Sequence, residues 1–255
     1  MGDSNSKKEL FEYCLRLGDD SLILGQRLGE WCGHAHVLEE DIALTNISLD
    51  LIGRARAFLS YAAEVEGTGR DEDVLAFRRE AHEFKNCLIT EIPNGDFGVT
   101  IVRQFLFDTY SYYLYSELQK SSDEQIAAIA SKSLKEIIYH TRHSSEWIVR
   151  LGDGTEESHN RVQTAVDDIW RYVDDMFIMD DVDSILIASN IAVDLNKVKE
   201  NWSAKVQEIL TKATLRIPEN IFMVKGGRKG KHTEHLSYIL AEMQYLPRTY
   251  PDAKW

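Results

Sequence analysis

Proline is scarce in this 255-residue sequence: there are 4, and none precedes Pro93. A proline-free run of that length lacks the commonest helix breaker and favours long helices. Cysteine is scarce too. Cys14, Cys32 and Cys87 are the full set, an odd number with no C-x-x-C pair. That argues against a disulfide framework and fits a reducing, cytoplasmic setting. Long apolar runs are missing, so no segment is expected to span a membrane. The opening MGDSNSKKEL has no signal-peptide core. Positive charge is also short: 29 Lys and Arg face 42 Asp and Glu, for a net −13 at pH 7. A nucleic-acid binder needs a basic footprint, and an anionic membrane repels such a chain, so neither partner is expected. What remains is an ordinary globular composition, 44% hydrophobic and 28% charged. A chain this long can bury a sizeable core.

The apolar pattern is helical. In HVLEEDIALTNISLDLIGRARAFLSYAAEVE, residues 36–66, apolar positions recur at three- and four-residue steps on more than one side, as in a buried central helix. GTGRDED breaks it and offers Asp71 or Asp73 as a cap. A second helix is expected over 73–91, ended by the IPNGDFG turn, and an aromatic third over 98–119. KSSDEQ follows, where Ser122 and Gln125 resemble a capping box. A fourth helix over 124–151 closes at GDG. Short connections between long helices predict an antiparallel four-helix bundle. Further helices are expected near 157–178, 194–214 and 233–246, with irregular stretches at IMDDVDSILIASNIAV and RIPENIFMVKGGRKGK. The simplest organisation is one all-α domain over 1–255, with a core at 36–151 and extra helices over 157–246.

Within such a bundle a di-iron centre takes one carboxylate from each of two helices and Glu-x-x-His from each of two others. The i, i+3 spacing puts both ligands on one face. Asp50, Glu80, Asp108 and Glu136 fall at comparable intervals, one per expected helix. The histidines do not follow. Glu83 stands three residues after Glu80, and Tyr139 three after Glu136; His140 is one place late, a rotation of about 100°. Glu136, His140 and His143 share a face, so an independent di-iron or zinc site stays open beside the plainer reading. In the plainer one the acids are satisfied by ion pairs such as Asp50 with Arg54, and Asp50, Glu80, Asp108, Glu136, Tyr139, His140 and His143 mark a vestigial metal site.

RLGEWCGHAHVLEEDIALTNISLDLIGRARAFLSYAAEVEG resembles the opening of the C-type subunit family of bacterial phenylacetyl-CoA 1,2-epoxidases. EIPNGDFGVTIVRQFLFD, SLKEIIYHTRHSSEWIVRLGDGTEES and GGRKGKHTEHLSYILAEMQYLPRTYP resemble its later blocks, in the right order, from about residue 10 to 255. The resemblance implies a ferritin-like fold and a non-catalytic structural subunit of a multicomponent di-iron monooxygenase of phenylacetate degradation. It implies that the di-iron lies in a partner, the catalytic A-type subunit, with no cofactor in this chain. It further implies a reductase and a small B-type subunit. None of the family's iron ligands carries over, because Glu83 and Tyr139 stand where histidines are needed. The aromatic third helix, through Tyr112 and Tyr115, is the expected anchor for the A-type subunit.

A second candidate is KGGRKGKH, residues 225–232. Lys225, Arg228, Lys229, Lys231 and His232 cluster there in an otherwise acidic chain. Glycines let backbone amides approach an anion, and the following helix points its positive end at the loop. Coenzyme A phosphates, or an acidic patch on a partner or reductase, are the candidate targets, and a plain solvated loop weighs at least equally against them.

Overall fold

The computed structural model describes residues 2–253, with side chains described from Ser6. It is all-α, of the ferritin-like class; among the described residues there is no strand. The helices are α1 (Gly2–Gly29), α2 (Leu38–Glu66), α3 (Glu72–Phe77), α4 (Phe97–Leu118), α5 (Glu124–Gly152), α6 (Glu156–Ile169), α7 (Asp181–Ala188), α8 (Leu195–Lys212) and α9 (Glu234–Thr249). No helix among the described residues is long and apolar enough to cross a membrane.

The chain divides into two compact units, one made of the residues up to Glu91 and from Gly226 on, the other of Ile92–Lys225. In the first, α1 and α2 form a hairpin, with α3 and α9 packed on it. The α1–α2 approach is close: a Cβ added at Gly18 or Gly25 would come within 2.9 Å of Leu59 or Ile52. α2 begins with Glu39, Glu40 and Asp41 in its first turn and ends at Gly67, whose φ of 69° reverses the chain. In the second unit α4 and α5 form the hairpin, flanked by α6 and α8. Asp96 caps α4 through the Val99 amide, and Asp123, not Ser122, caps α5 through Ile126.

Three elements depart from the expected pattern. Residues 2–29 form a long helix that the apolar periodicity does not announce, because its buried face carries Arg16, Asp19, Asp20, Ser21 and Arg27. The helix expected over 73–91 ends at Phe77, and the rest runs through two short 3₁₀ turns, Ala81–Glu83 and Leu88–Glu91. The cause is tertiary: the amides of Lys85 and Cys87 donate to the carboxylates of Asp19 and Asp20, so they are unavailable to helical carbonyls. Finally, the irregular stretch after Phe177 contains α7, capped by Asp180.

Candidate functional site

The densest buried charge lies in the first unit. Asp19 is fully buried, and Arg79 clamps it with both terminal nitrogens, one at 2.9 Å. The Lys85 amide donates to the same carboxylate at 2.8 Å. Next to it, Asp20 receives Arg228 through two bonds of 2.8 and 2.7 Å and the Cys87 amide at 2.7 Å. Arg228 also donates to the carbonyl of Lys85, and Arg79 stacks over Phe84 at 4.2 Å. Bidentate guanidinium–carboxylate pairs with backbone donors are the arrangement that makes buried charge tolerable. Burial nonetheless wins at Asp20: it pushes the carboxyl above its ordinary value of 3.8, against the opposing pull of Arg228 and the Cys87 amide. Two adjacent acids thus tie α1 to the segment after α3 and to the loop before α9.

A second knot surrounds Glu91, which is fully buried. Its Oε1 accepts from Asn86 at 2.9 Å and lies 2.6 Å from His232 Nδ1. Its Oε2 accepts from the amide and hydroxyl of Thr233, at 2.8 and 2.6 Å. The other ring nitrogen of His232 meets the Phe84 carbonyl at 3.0 Å. The positive end of α9 therefore already has its carboxylate, supplied by Glu91.

This revises the expected anion loop. Arg228 and His232 are consumed inside the fold. The loop amides are consumed as well: Lys229 and Lys231 donate to the Gly226 carbonyl, and Gly230 donates to that of Gly227. Lys225 lies 3.4 Å from Asp174. Lys229 and Lys231 are exposed and leave two surface cations, without the amide cradle an anion needs.

The expected metal positions are scattered among different tasks. Glu80 is not on a helix; it stands exposed before a 3₁₀ turn and pairs with Arg248 at 2.9 Å. Its amide donates to Glu83 at 2.7 Å, so the i, i+3 argument for that pair has no helix to act on. Asp50 is half-buried on α2. In the second unit Asp108 is buried on α4, and its two oxygens are occupied by the Gln104 amide at 2.7 Å and the Ser144 hydroxyl at 2.9 Å. His140 is buried on α5, while Tyr139 is 40% exposed and stacks on His143 at 6.0 Å between ring centroids. Glu136 is half-buried one turn earlier. Among the described residues no three His, Cys, Asp or Glu side chains converge as a metal ion requires. The donors present do not fit a di-iron centre.

Tyr115 is buried inside the second unit, so of the expected anchor pair only Tyr112 reaches the surface. The residues that sequence reasoning missed are Asp19, Asp20 and Glu91. The available signal was a pair of acids in LGDDSLILG, flanked by apolar residues on both sides, and an Arg pair at 78–79 to answer them.

Residues 1–255 match the family described as phenylacetic acid catabolic protein. A curated relative from Escherichia coli (strain K12), the C subunit of 1,2-phenylacetyl-CoA epoxidase, is 49% identical over 247 residues. The match covers 97% of this chain and 99% of the relative.

Proposed function

The chain belongs to the phenylacetic acid catabolic protein family, and we propose that it is the structural C-type subunit of a cytoplasmic phenylacetyl-CoA epoxidase. It takes part in an oxidoreductase assembly whose iron sits in a related, catalytic A-type subunit. The assembly is completed by a reductase and a small B-type subunit, while this chain holds no cofactor. The supporting observation is identity of 49% across 97% of the chain to a protein bearing that name. The donor geometry supports the division of labour. Asp108 spends both oxygens on Gln104 and Ser144, and Glu80 spends its carboxylate on Arg248. An independent di-iron or zinc enzyme using Glu136, His140 and His143 has less support, since those residues do not form a three-ligand cluster with any described neighbour.

Coexpression with the family's iron-bearing relative tests the proposal. The expected result is one complex by size exclusion, epoxidising phenylacetyl-CoA when a reductase and NADPH are supplied. Elution of the two chains apart, with full activity in the relative alone, would remove the structural role.

A further inference from the structure

The second unit carries a cleft of about 490 Å³ between α4, α5 and α8, continued along α5 and α8 by a shallower one of about 410 Å³. Tyr112 and Tyr113 of α4 form one wall. Arg142 and Glu146 of α5 face Lys205 and Glu208 of α8. Arg150 and Lys212 line the continuation. Four cations therefore line a groove that holds two acids, in a chain whose net charge is −13. Glu208 is already neutralised: Lys205 and Lys212 reach it at 3.2 and 2.5 Å. Hydrogen bonds from Lys212 and Lys205 hold its carboxyl below the ordinary range.

The two arginines are different. Among the described residues neither meets a carboxylate; Arg142 lies over the Tyr139 ring at 5.8 Å and Arg150 over Trp147 at 4.8 Å. Glu146, one turn from each, is exposed and pairs with neither. Each guanidinium rests beside an aromatic ring, an arrangement that leaves its hydrogen-bonding edges available. They are eight residues apart on one helix, about 12 Å along its axis. Beside them Ile138 is 53% and Tyr139 40% exposed. Arginine and tyrosine around an apolar patch are the residue types that anchor protein interfaces.

We propose that this groove receives an acidic helix of a partner subunit, one that presents carboxylates about two turns apart to Arg142 and Arg150. Charge selects the occupant. The groove is locally positive, whereas a second copy of this strongly acidic chain is repelled overall. Two helical turns match the spacing of the arginines. The proposal rests on the chain's being a subunit of the epoxidase assembly.

The test is titration of the full-length chain against each of the other subunits, comparing wild type with the double variant R142E/R150E at low and moderate salt. Both side chains are exposed, and circular dichroism checks the fold. The expected result is a Kd for one subunit raised about tenfold or more, with a flattened salt dependence. The milder R142Q/R150Q pair should shift the same Kd in the same direction, which keeps the test informative if charge reversal impairs folding. Equal binding by wild type and both variants, with unchanged salt dependence, overturns the groove while leaving the structural role intact. Failure of the wild-type chain to bind any subunit overturns both. A variant that loses only self-association, with every heteromeric Kd unchanged, assigns the groove to a second copy and overturns the acidic-partner assignment.

Discussion

Arg228 is the guanidinium that answers the buried Asp20 carboxylate. It reaches Asp20 from a loop more than two hundred residues away in sequence, and it is also bonded to the Lys85 carbonyl. Removing it leaves the Asp20 carboxylate buried beside the Cys87 amide without its guanidinium. Arg228→Ala should destabilise the protein by about 3–5 kcal/mol, the usual cost of orphaning one member of a buried pair. Replacing both, Asp20→Leu with Arg228→Met, should recover part of that loss, because the charge is gone while the Cys87 amide and the Lys85 carbonyl lose their partners. Urea unfolding of wild type and the two variants measures it, and a double variant no more stable than Arg228→Ala would refute it. The pH dependence carries a definite sign. Burial raises the folded-state carboxyl of Asp20 above 3.8, so the folded chain holds that proton to higher pH than the unfolded chain. The contribution of this group to stability therefore falls as pH rises from 3.8 through the folded-state value. Loss of Arg228 removes an influence that lowers the carboxyl, so the decline should extend to higher pH in Arg228→Ala than in wild type.

At the scale of elements, the loop before α9 is a fitted piece. Gly230 has a φ of 72°, and a Cβ there would overlap the His82 carbonyl oxygen. Gly33 has a similar φ of 80° with nothing within 4 Å. Gly33→Ala should cost only left-handed strain, about 1–2 kcal/mol. Gly230→Ala incurs that strain and must also move backbone, so its loss should be clearly larger; equal melting temperatures for the two variants would refute the close fit. The same loop marks the limit of what sequence conveys. α2, α4 and α5 are legible because their apolar repeat and their breaks are local facts. α1 is hidden by the polar side chains it buries, and residues 78–91 look helical until Asp19 and Asp20 claim their amides. The basic cluster at 225–232 is plain in the sequence. That Arg228 and His232 turn inward to Asp20 and Glu91 depends on acids far away in the chain, which no local pattern reveals. In the second unit the departure of Tyr139 from Glu-x-x-His is legible by counting. The occupation of Asp108 is legible only in part: Gln104 stands one turn away on α4 itself, whereas the Ser144 bond depends on which face of α5 meets α4.

For the whole molecule, the decisive quantity is metal per chain. A ferritin-like bundle that binds two irons directs four carboxylates and two histidines at one point. This chain retains acids in number, 42 of them, yet spends the candidates elsewhere. Glu80 lies on the surface with Arg248, and Asp108 is saturated by an amide and a hydroxyl. For iron or zinc to enter, Asp108 would have to give up two short hydrogen bonds, leaving the Gln104 amide and the Ser144 hydroxyl to find other buried partners. Unsatisfied buried donors cost about 1–3 kcal/mol each. The chain purified alone from iron-replete, zinc-supplemented cells should therefore contain far less than the about two irons per chain of a loaded bundle. Plasma mass spectrometry with a protein assay measures it. Two tightly held irons would require Glu136, His140 and His143 to rearrange around a metal, and would move catalysis into this chain. A metal-poor chain that raises the activity of the proposed A-type subunit would place its contribution in assembly, with its buried acids committed to guanidinium groups, amides and hydroxyls.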